Sequence, residues 1–448
     1  MSLKATAAAE RSVDRPDILI VGGGVAGLYT ARELLRRDPD LQILLIEKYP
    51  VLGGRVLSFR TQVGSQEVGW EAGAGRLHYS QKRIHALLDD YKIEVAPLPA
   101  SADFICEGGR RQTDNFATLA AAILPAIADL PVADLQMHTL ADICNRVLGS
   151  SKTKAIFDQF PYHTEVHRLR ADIALETFQG VMASEAGFCV VRGGFTPLIN
   201  ALAADVRKRG ATIWLGTALI GWSGGGGSDI RATVKMTYKD AQPRVIPLYP
   251  KKMILALHAG ALVAFKQCRS WSPLRHLDVA KLLRIYAVFP KGPSCSGGRA
   301  VWFAGMSKVI TPGPLRYVIP ISEEAGTIMI SYTDGGDTSP FWAEAQAADR
   351  DPGRATATLT RHIMREVRKL FGSAVPDPMF LKAHPWTVGT TYWKPGRYDI
   401  DKTIAESRQL EGSKAPVYVI GESFSRDQAW IEGALESAEG LLKSSFSK

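Results

Sequence analysis

Short apolar runs alternating with amphipathic stretches set the pattern of the first fifty residues. Ile18–Val21 is too short for a helix and rich in branched side chains, which predicts a buried parallel strand. The stretch about Val25–Arg37 predicts an amphipathic helix, and Gln42–Ile46 a second buried strand. Between the first strand and the helix stand Gly22, Gly24 and Gly27, at G-x-G-x-x-G spacing. The first permits a tight turn, the second lets a pyrophosphate approach the backbone, and the third lets helix and strand pack closely. The helix N-terminus aims its N–H groups and the positive end of its dipole at the phosphates. Glu47, closing the second strand, is placed to accept hydrogen bonds from ribose hydroxyls and to repel a 2′-phosphate, which argues against NADP. Strand, glycine turn, helix, strand and acid in this order predict a dinucleotide site.

Beyond Glu47 the pattern breaks into glycine-rich turns carrying single cations. Gly53, Gly54 and Arg55 can wrap backbone and a guanidinium around a pyrophosphate, a second clamp that a domain binding only NAD does not need. Glu71, Gly73, Ala74, Gly75 and Arg76 form a small-residue turn that lets backbone approach a flat ring and presents Arg76 beside it. Arginine is the side chain best shaped for a bidentate grip on a carboxylate. Residues 111–186 repeat Ala and Leu at helical spacing, broken by prolines, and predict a helical insert. His163 and His167 lie four apart within it, with no third ligand at suitable spacing for a metal, so packing or surface roles are expected, with a substrate contact open to Tyr162.

The α/β pattern returns after Gly193 and Gly194. A helix about Thr196–Arg209 precedes strands at Thr212–Leu215 and Ala218–Trp222, a hairpin through Gly224–Gly227 to Arg231–Tyr238, and a buried strand at Met253–Leu257. Longer strands follow at Arg284–Phe289, Arg316–Ile319, Thr327–Tyr332 and His384–Val388, with one helix about Ala355–Phe371, as in a mixed-sheet domain. The aromatic, turn-rich segment 390–399 suits a cleft wall. Last comes the strand Val417–Ile420, then Gly421–Glu422, then a helix entered at Trp430, Ile431 and Ala434. Its N–H groups are expected to face the same nucleotide, so both ends of the chain build one site.

Composition changes this picture little. At 448 residues the chain is expected to hold roughly three domains or subdomains, with ample length for a large core. Its net charge of +9 is spread along the sequence, as on a solvated basic surface rather than a nucleic-acid face. Five scattered cysteines without a C-x-x-C pair suggest neither a zinc site nor a disulfide framework, and so a reducing, cytoplasmic setting. Residues 1–16 lack a secretory apolar core and are expected to form a flexible tail; no apolar run spans a membrane.

The motifs GGGVAG, Glu47, LGGR, EAGAGR, RGGF and GESF followed by WIEGALESA occur in the order of the flavin-containing amine oxidase superfamily, which the chain resembles throughout. The resemblance implies an α/β protein with a Rossmann-like FAD-binding domain (17–80, 187–262 and 412–448), a mixed-sheet substrate domain (81–110 and 263–411) and a helical subdomain (111–186). It implies FAD held by Gly22, Gly24, Gly27, Glu47, Gly54, Arg55, Gly75, Arg76, Leu219, Gly421, Glu422, Trp430, Ile431 and Ala434. The loop after Gly421–Glu422 has no cysteine, so non-covalent flavin is expected.

Within the superfamily the chain is most similar to the L-amino-acid oxidase branch, with tryptophan-oxidising members tilting the expectation toward large or aromatic substrates. Arg76 falls where that branch binds the substrate carboxylate, Trp430 where a tryptophan covers the flavin, and Gly389 at a cage position occupied by small residues. Two departures are expected. A family lysine aligns with Arg284, Lys281 lying slightly earlier, and a carboxylate-holding tyrosine aligns with Ile319, for which Tyr317 is placed to substitute. Arg76, Trp430, Arg284, Tyr317 and Tyr162 are therefore the expected catalytic set, with no metal. The implied reaction is hydride transfer from the amino-acid Cα to flavin, giving an imino acid, then 2-oxo acid and ammonia, with oxygen reduced to hydrogen peroxide. The alternatives are a monoamine or polyamine oxidase, or an FAD dehydrogenase or monooxygenase with poor oxygen reactivity. Expected partners are the amino acid or amine and molecular oxygen, with no nucleic acid or membrane; a homodimer is compatible with the sequence.

Overall fold

Five parallel strands assemble around the glycine motif. In the computed structural model, which describes residues 14–447 except 100, 107–108, 114, 183–186, 225–229, 238–241, 294–297, 351–352 and 411–415, Ile18–Val21 lies at the centre of this sheet. Ile43–Ile46 and Lys252–Ala256 flank it, and Thr212–Trp214 and Val417–Ile420 form the edges. Ile18–Val21, Ile43–Ile46 and Val417–Ile420 are buried along their whole length, as expected where both faces of a parallel sheet are covered. Alternate side chains divide between the faces. Ile18, Ile20, Ile43 and Leu45 share a core with the helices Val25–Arg37, Thr196–Lys208 and Ile431–Ser445, while Leu19, Val21, Leu44 and Ile46 face a second core. First and last strands thus stand in one sheet, and the two termini are brought to one site.

Gly27 shows why this helix had to start with glycine. A Cβ there would lie 2.1 Å from the Gly22 carbonyl oxygen, so any side chain would lever the helix off the strand.

The second sheet has seven strands: Phe380–Trp393, Leu277–Val288, Thr327–Asp334, Tyr317–Ser322, Val309–Ile310, Ala102–Cys106 and Gly109–Thr113, in that order. It is mixed, with Val309–Ile310 parallel to Ala102–Cys106 and its other neighbours antiparallel. The helices Trp342–Arg350 and Arg354–Phe371 cover one face, Leu359 and Ile363 packing with Leu283 and Ile285. The strands run longer than periodicity suggested; in Leu277–Val288 the second half is buried on both faces and loses the alternation that marks a strand.

Several expected boundaries move. Residues 111–113 belong to the edge strand Gly109–Thr113, and the helical segment begins at Asn115. The segment Lys82–Leu98, expected with the substrate domain, packs elsewhere. Ile84, Leu87 and Leu88 join the core of the parallel sheet, and Glu432 of the last helix accepts from the Arg83 and Ile84 N–H groups. We propose that the substrate domain begins near residue 101. Residues 14–16, expected in the tail, are tied down: Tyr249 N–H donates to the Asp14 carbonyl at 2.7 Å and Lys251 N–H to that of Pro16 at 3.2 Å. The strands Thr217–Gly224 and Ile230–Met236 form the expected antiparallel hairpin, in a three-stranded sheet completed by Arg244–Leu248; its linking glycines beyond Gly224 lie outside the described residues. Cys106, Cys144, Cys189 and Cys268 are free thiols, and Cys295 also lies outside the described residues. Among the described residues, no helix is long and apolar enough to cross a membrane, and no three His, Cys, Asp or Glu side chains are grouped to hold a metal.

Candidate functional site

A cavity of about 1510 Å³ runs between the two sheets. At its parallel-sheet end the walls include Gly22, Gly24, Glu47, Gly54, Arg55, Leu219, Gly421, Glu422, Ile431 and Ala434. Gly27 alone of the expected cofactor residues lies outside the lining, beneath it as a packing residue. Glu47 is 7% exposed and held rigidly. Its Oε2 accepts from Gly23 N–H at 2.8 Å and its Oε1 from Tyr49 N–H at 2.9 Å, leaving lone pairs for hydroxyl donors in the cavity. The helices Val25–Arg37 and Ile431–Ser445 both start at the cavity without a side-chain cap, so their first N–H groups remain to bind an anion. Buried Glu422 pairs with Arg55, while its Oε2 has no hydrogen-bond partner among the described residues. Uncapped helix ends, a hydroxyl-accepting carboxylate and an unsatisfied buried oxygen fit a dinucleotide laid across both termini.

The other end is lined by Arg76, Tyr162, Glu165, Arg284, Tyr317, Ile319, Tyr332, Trp386, Tyr392 and Trp430. All five expected catalytic residues are thus brought together. The turn carrying Arg76 is clamped from several sides. Arg284 Nη1 and Tyr286 Oη donate to the Glu71 carbonyl at 3.1 and 2.7 Å, Trp386 Nε1 donates to the Ala72 carbonyl at 2.7 Å, and Ala74 N–H donates to that of Arg55 at 3.0 Å. The guanidinium points into the cavity, its carbon 4.3 Å from the Phe188 ring centre, 4.9 Å from Tyr162 and 5.5 Å from Trp430. Aromatic faces attract such a cation. Burial pushes the Tyr162 phenol up to about 12 and that of Tyr317 higher, so both keep their protons and can donate hydrogen bonds.

Of Arg284 and Lys281, only Arg284 reaches the cavity. Arg284 faces the cavity, its guanidinium carbon 5.4 Å from the Tyr332 ring centre, and its buried Nε has no hydrogen-bond partner among the described residues. Lys281 is exposed, its Nζ 4.8 Å from the Trp342 ring centre, and is no part of the lining. A β-irregularity between Ala280 and Leu282, opposite Gly389, sets this arrangement. Gly389 has a packing reason to be small, since a Cβ there would stand 2.3 Å from that of Leu282. Tyr317 and Ile319 both line the cavity, although a register shift separates them and they are not simple same-face neighbours.

His163 and His167 stack with ring centres 4.2 Å apart. Glu165 and Tyr332, which carried no sequence signal, line the cavity, and Asp334, equally unsignalled, stands behind them. Asp334 accepts from His163 N–H at 2.7 Å and Thr164 N–H at 3.4 Å, anchoring the start of the short helix that bears Glu165. Burial first, then the charge of Asp334, raises the Glu165 carboxyl to about 8; burial first, then Asp337, raises that of Asp334 to about 7 against the hydrogen bonds it accepts. Both acids therefore bind protons more tightly in the folded chain than in the unfolded one, and their contribution to stability falls as pH climbs from about 4 to about 8. Buried His167 and His258, pushed down to about 4, act oppositely but only up to 6.5, the value for exposed histidine. Between pH 6.5 and 8 the acids dominate, so the melting temperature should fall across that interval. Glu165→Gln, which fixes a neutral side chain, should flatten the slope in thermal melts over a buffer series.

The family model for flavin containing amine oxidoreductase matches residues 25–440. An uncharacterized protein of Acanthamoeba polyphaga mimivirus is 36% identical, over 95% of this chain and 93% of its own. An L-amino acid dehydrogenase of Synechocystis is 35% identical over a shorter stretch, 22% of this chain and 21% of its own. Wild-type putrescine oxidase bound to putrescine superposes with a TM-score of 0.69 at 16% identity, over 97% of this chain and 99% of its own, a likeness of fold.

Proposed function

The chain belongs to the flavin containing amine oxidoreductase family, and on that premise we propose that it is an FAD-dependent L-amino-acid oxidase with non-covalently held flavin. One observation carries this reading: the Arg76 guanidinium, on a turn clamped by hydrogen bonds to Glu71, Ala72 and Ala74, faces the cavity among Tyr162, Phe188 and Trp430. A planar cation with fixed donors suits a carboxylate, and a simple amine carries none. The Synechocystis relative, named for L-amino acids, agrees with it.

Bound flavin supplies the two-electron acceptor for oxidation of the substrate C–N bond. The rest falls to side chains. Arg76 fixes the carboxylate and so the direction of the Cα–H bond, and such positioning can supply several kcal/mol of a barrier, up to about 7–11 in well-oriented cases. Tyr162 and Tyr317 retain their protons and can add hydrogen bonds to the same carboxylate. Trp430 and Phe188, stacked at 6.2 Å, exclude water around the guanidinium and strengthen its grip. The imino acid released would hydrolyse to a 2-oxo acid and ammonia.

Peroxide release from the L-amino acids, set against their decarboxylated amines, tests the assignment. Oxidation of amino acids with no turnover of the amines is expected; the reverse preference would remove the role of Arg76. A second reading, transfer to an acceptor other than oxygen, is favoured by Arg284, which stands in the cavity where an ammonium was expected. Stopped-flow reoxidation of the reduced flavin by oxygen separates the two.

A further inference from the structure

The proposed function gives Arg76 the substrate carboxylate and leaves Glu165, one of the carboxylates lining the cavity, unused. Glu165 lines the same chamber as Arg76, and its Oε2 is shut off from bulk solvent with no hydrogen-bond partner among the described residues. An acceptor in that state is costly unless something else supplies a donor. Among the described residues, no group around it donates to that oxygen. Tyr332 and Tyr392 approach from the second sheet, and Asp334 contributes negative charge while spending its own oxygens on His163 and Thr164 N–H. Arg76 is the cation whose field reaches Glu165, yet its guanidinium sits against Tyr162, Phe188 and Trp430. Asp334 makes the short helix His163–His167 a fixed platform, so Glu165 is held at the cavity wall rather than free to turn outward. A carboxylate, a second acid behind it and aromatic rings around it form a receptor for positive charge.

We propose that Glu165 receives a protonated nitrogen of the substrate, so that the cavity reads an anion at Arg76 and a cation at Glu165 together. The inference rests on the assignment of Arg76 to the carboxylate. The nitrogen is either the α-ammonium, present in every amino acid, or the end of a basic side chain. Both are the same chemistry at Glu165, and they differ in what the residue does: the first makes it a general anchor, the second a selector for cationic side chains. In either case a bound cation restores the partner that Oε2 lacks and favours the ionised carboxyl.

Two non-oxidisable probes and one substrate distinguish them in the flavin-loaded protein. Caproate and ε-aminocaproate differ only in a terminal ammonium, and their binding is followed by the change in flavin absorbance. If Glu165 takes a side-chain cation, the wild type binds ε-aminocaproate roughly 10- to 100-fold tighter than caproate, and Glu165→Gln erases the difference. If it takes the α-ammonium, the two probes bind alike and Glu165→Gln raises KM for L-norleucine by roughly tenfold or more, with caproate binding unchanged. Equal probe binding together with an unchanged KM in Glu165→Gln overturns the proposal. Should that variant fail to load flavin, Glu165→Asp keeps the charge but shortens its reach, and must weaken the same ligand or the proposal falls. Failure of the underlying reading looks different: caproate would then bind Arg76→Ala as well as wild type, whatever Glu165 does.

Discussion

Replacing Arg76 with alanine should lower kcat/KM for L-amino acids by roughly two to three orders of magnitude while leaving the flavin bound. The size follows from what is lost. A substrate carboxylate brought among Tyr162, Phe188 and Trp430 leaves water behind, and without the guanidinium it would be an uncompensated buried charge. Breaking such a pair by removing one member costs about 3–5 kcal/mol, and each 1.4 or so is a factor of ten. Arg76→Lys should recover only a part, because an ammonium offers a point charge in place of a planar fork. Cofactor content should change little, since the opposite end of the cavity holds the uncapped helix starts, Glu47 and the Arg55–Glu422 pair. Steady-state kinetics alongside the visible spectrum checks both halves. An alanine variant that turns over L-amino acids as fast as wild type would end the carboxylate assignment. One that arrives colourless would instead place Arg76 among the groups that hold the cofactor.

The two ends of the cavity differed in how far they could be read from the chain. The parallel-sheet end was legible because its work is done by backbone, and a backbone that must turn tightly, admit an anion and start a helix writes itself into consecutive residues. Gly22 to Gly27 and Gly421 to Ile431 are such runs, each beside an apolar strand. The substrate end is assembled across sheet registers, which no short window contains. Lys281 and Arg284 are three apart on a strand, which in a regular ladder puts them on opposite faces, and from Leu282 onward both faces are buried. Which one faced the cavity therefore depended on the irregularity between Ala280 and Leu282, and that is set by the partner strand at Gly389. Glu165 was harder still. In the sequence His-Thr-Glu-Val-His it is an ordinary polar residue of a short helix. Only Asp334, 170 residues from Thr164, turns that helix so that a carboxylate enters the cavity.

The largest loss of cofactor retention should come from Arg55→Ala. Arg55 leaves the Gly53–Gly54 turn, donates to the Gly389 carbonyl at 3.2 Å, and pairs with Glu422 at the end of the last strand. One side chain thereby ties the first motif to the second sheet and to the C-terminal segment. Glu422 is 6% exposed and its Oε2 already lacks a partner among the described residues, so truncating Arg55 leaves a carboxylate with no compensation in a poorly hydrated place. That costs about 3 kcal/mol or more, much of it the penalty of the charge left behind rather than the worth of the pair. The expected protein melts several degrees lower and loses flavin on gel filtration. Adding Glu422→Gln should recover part of the melting temperature, because the stranded charge is gone, but should not recover the cofactor, whose clamp is still missing. Thermal melts of the two single variants and the double variant, with flavin content from absorbance, separate these contributions. If the double variant is no more stable than Arg55→Ala, the guanidinium acts through the Gly389 carbonyl instead, and the two termini are not coupled through this pair.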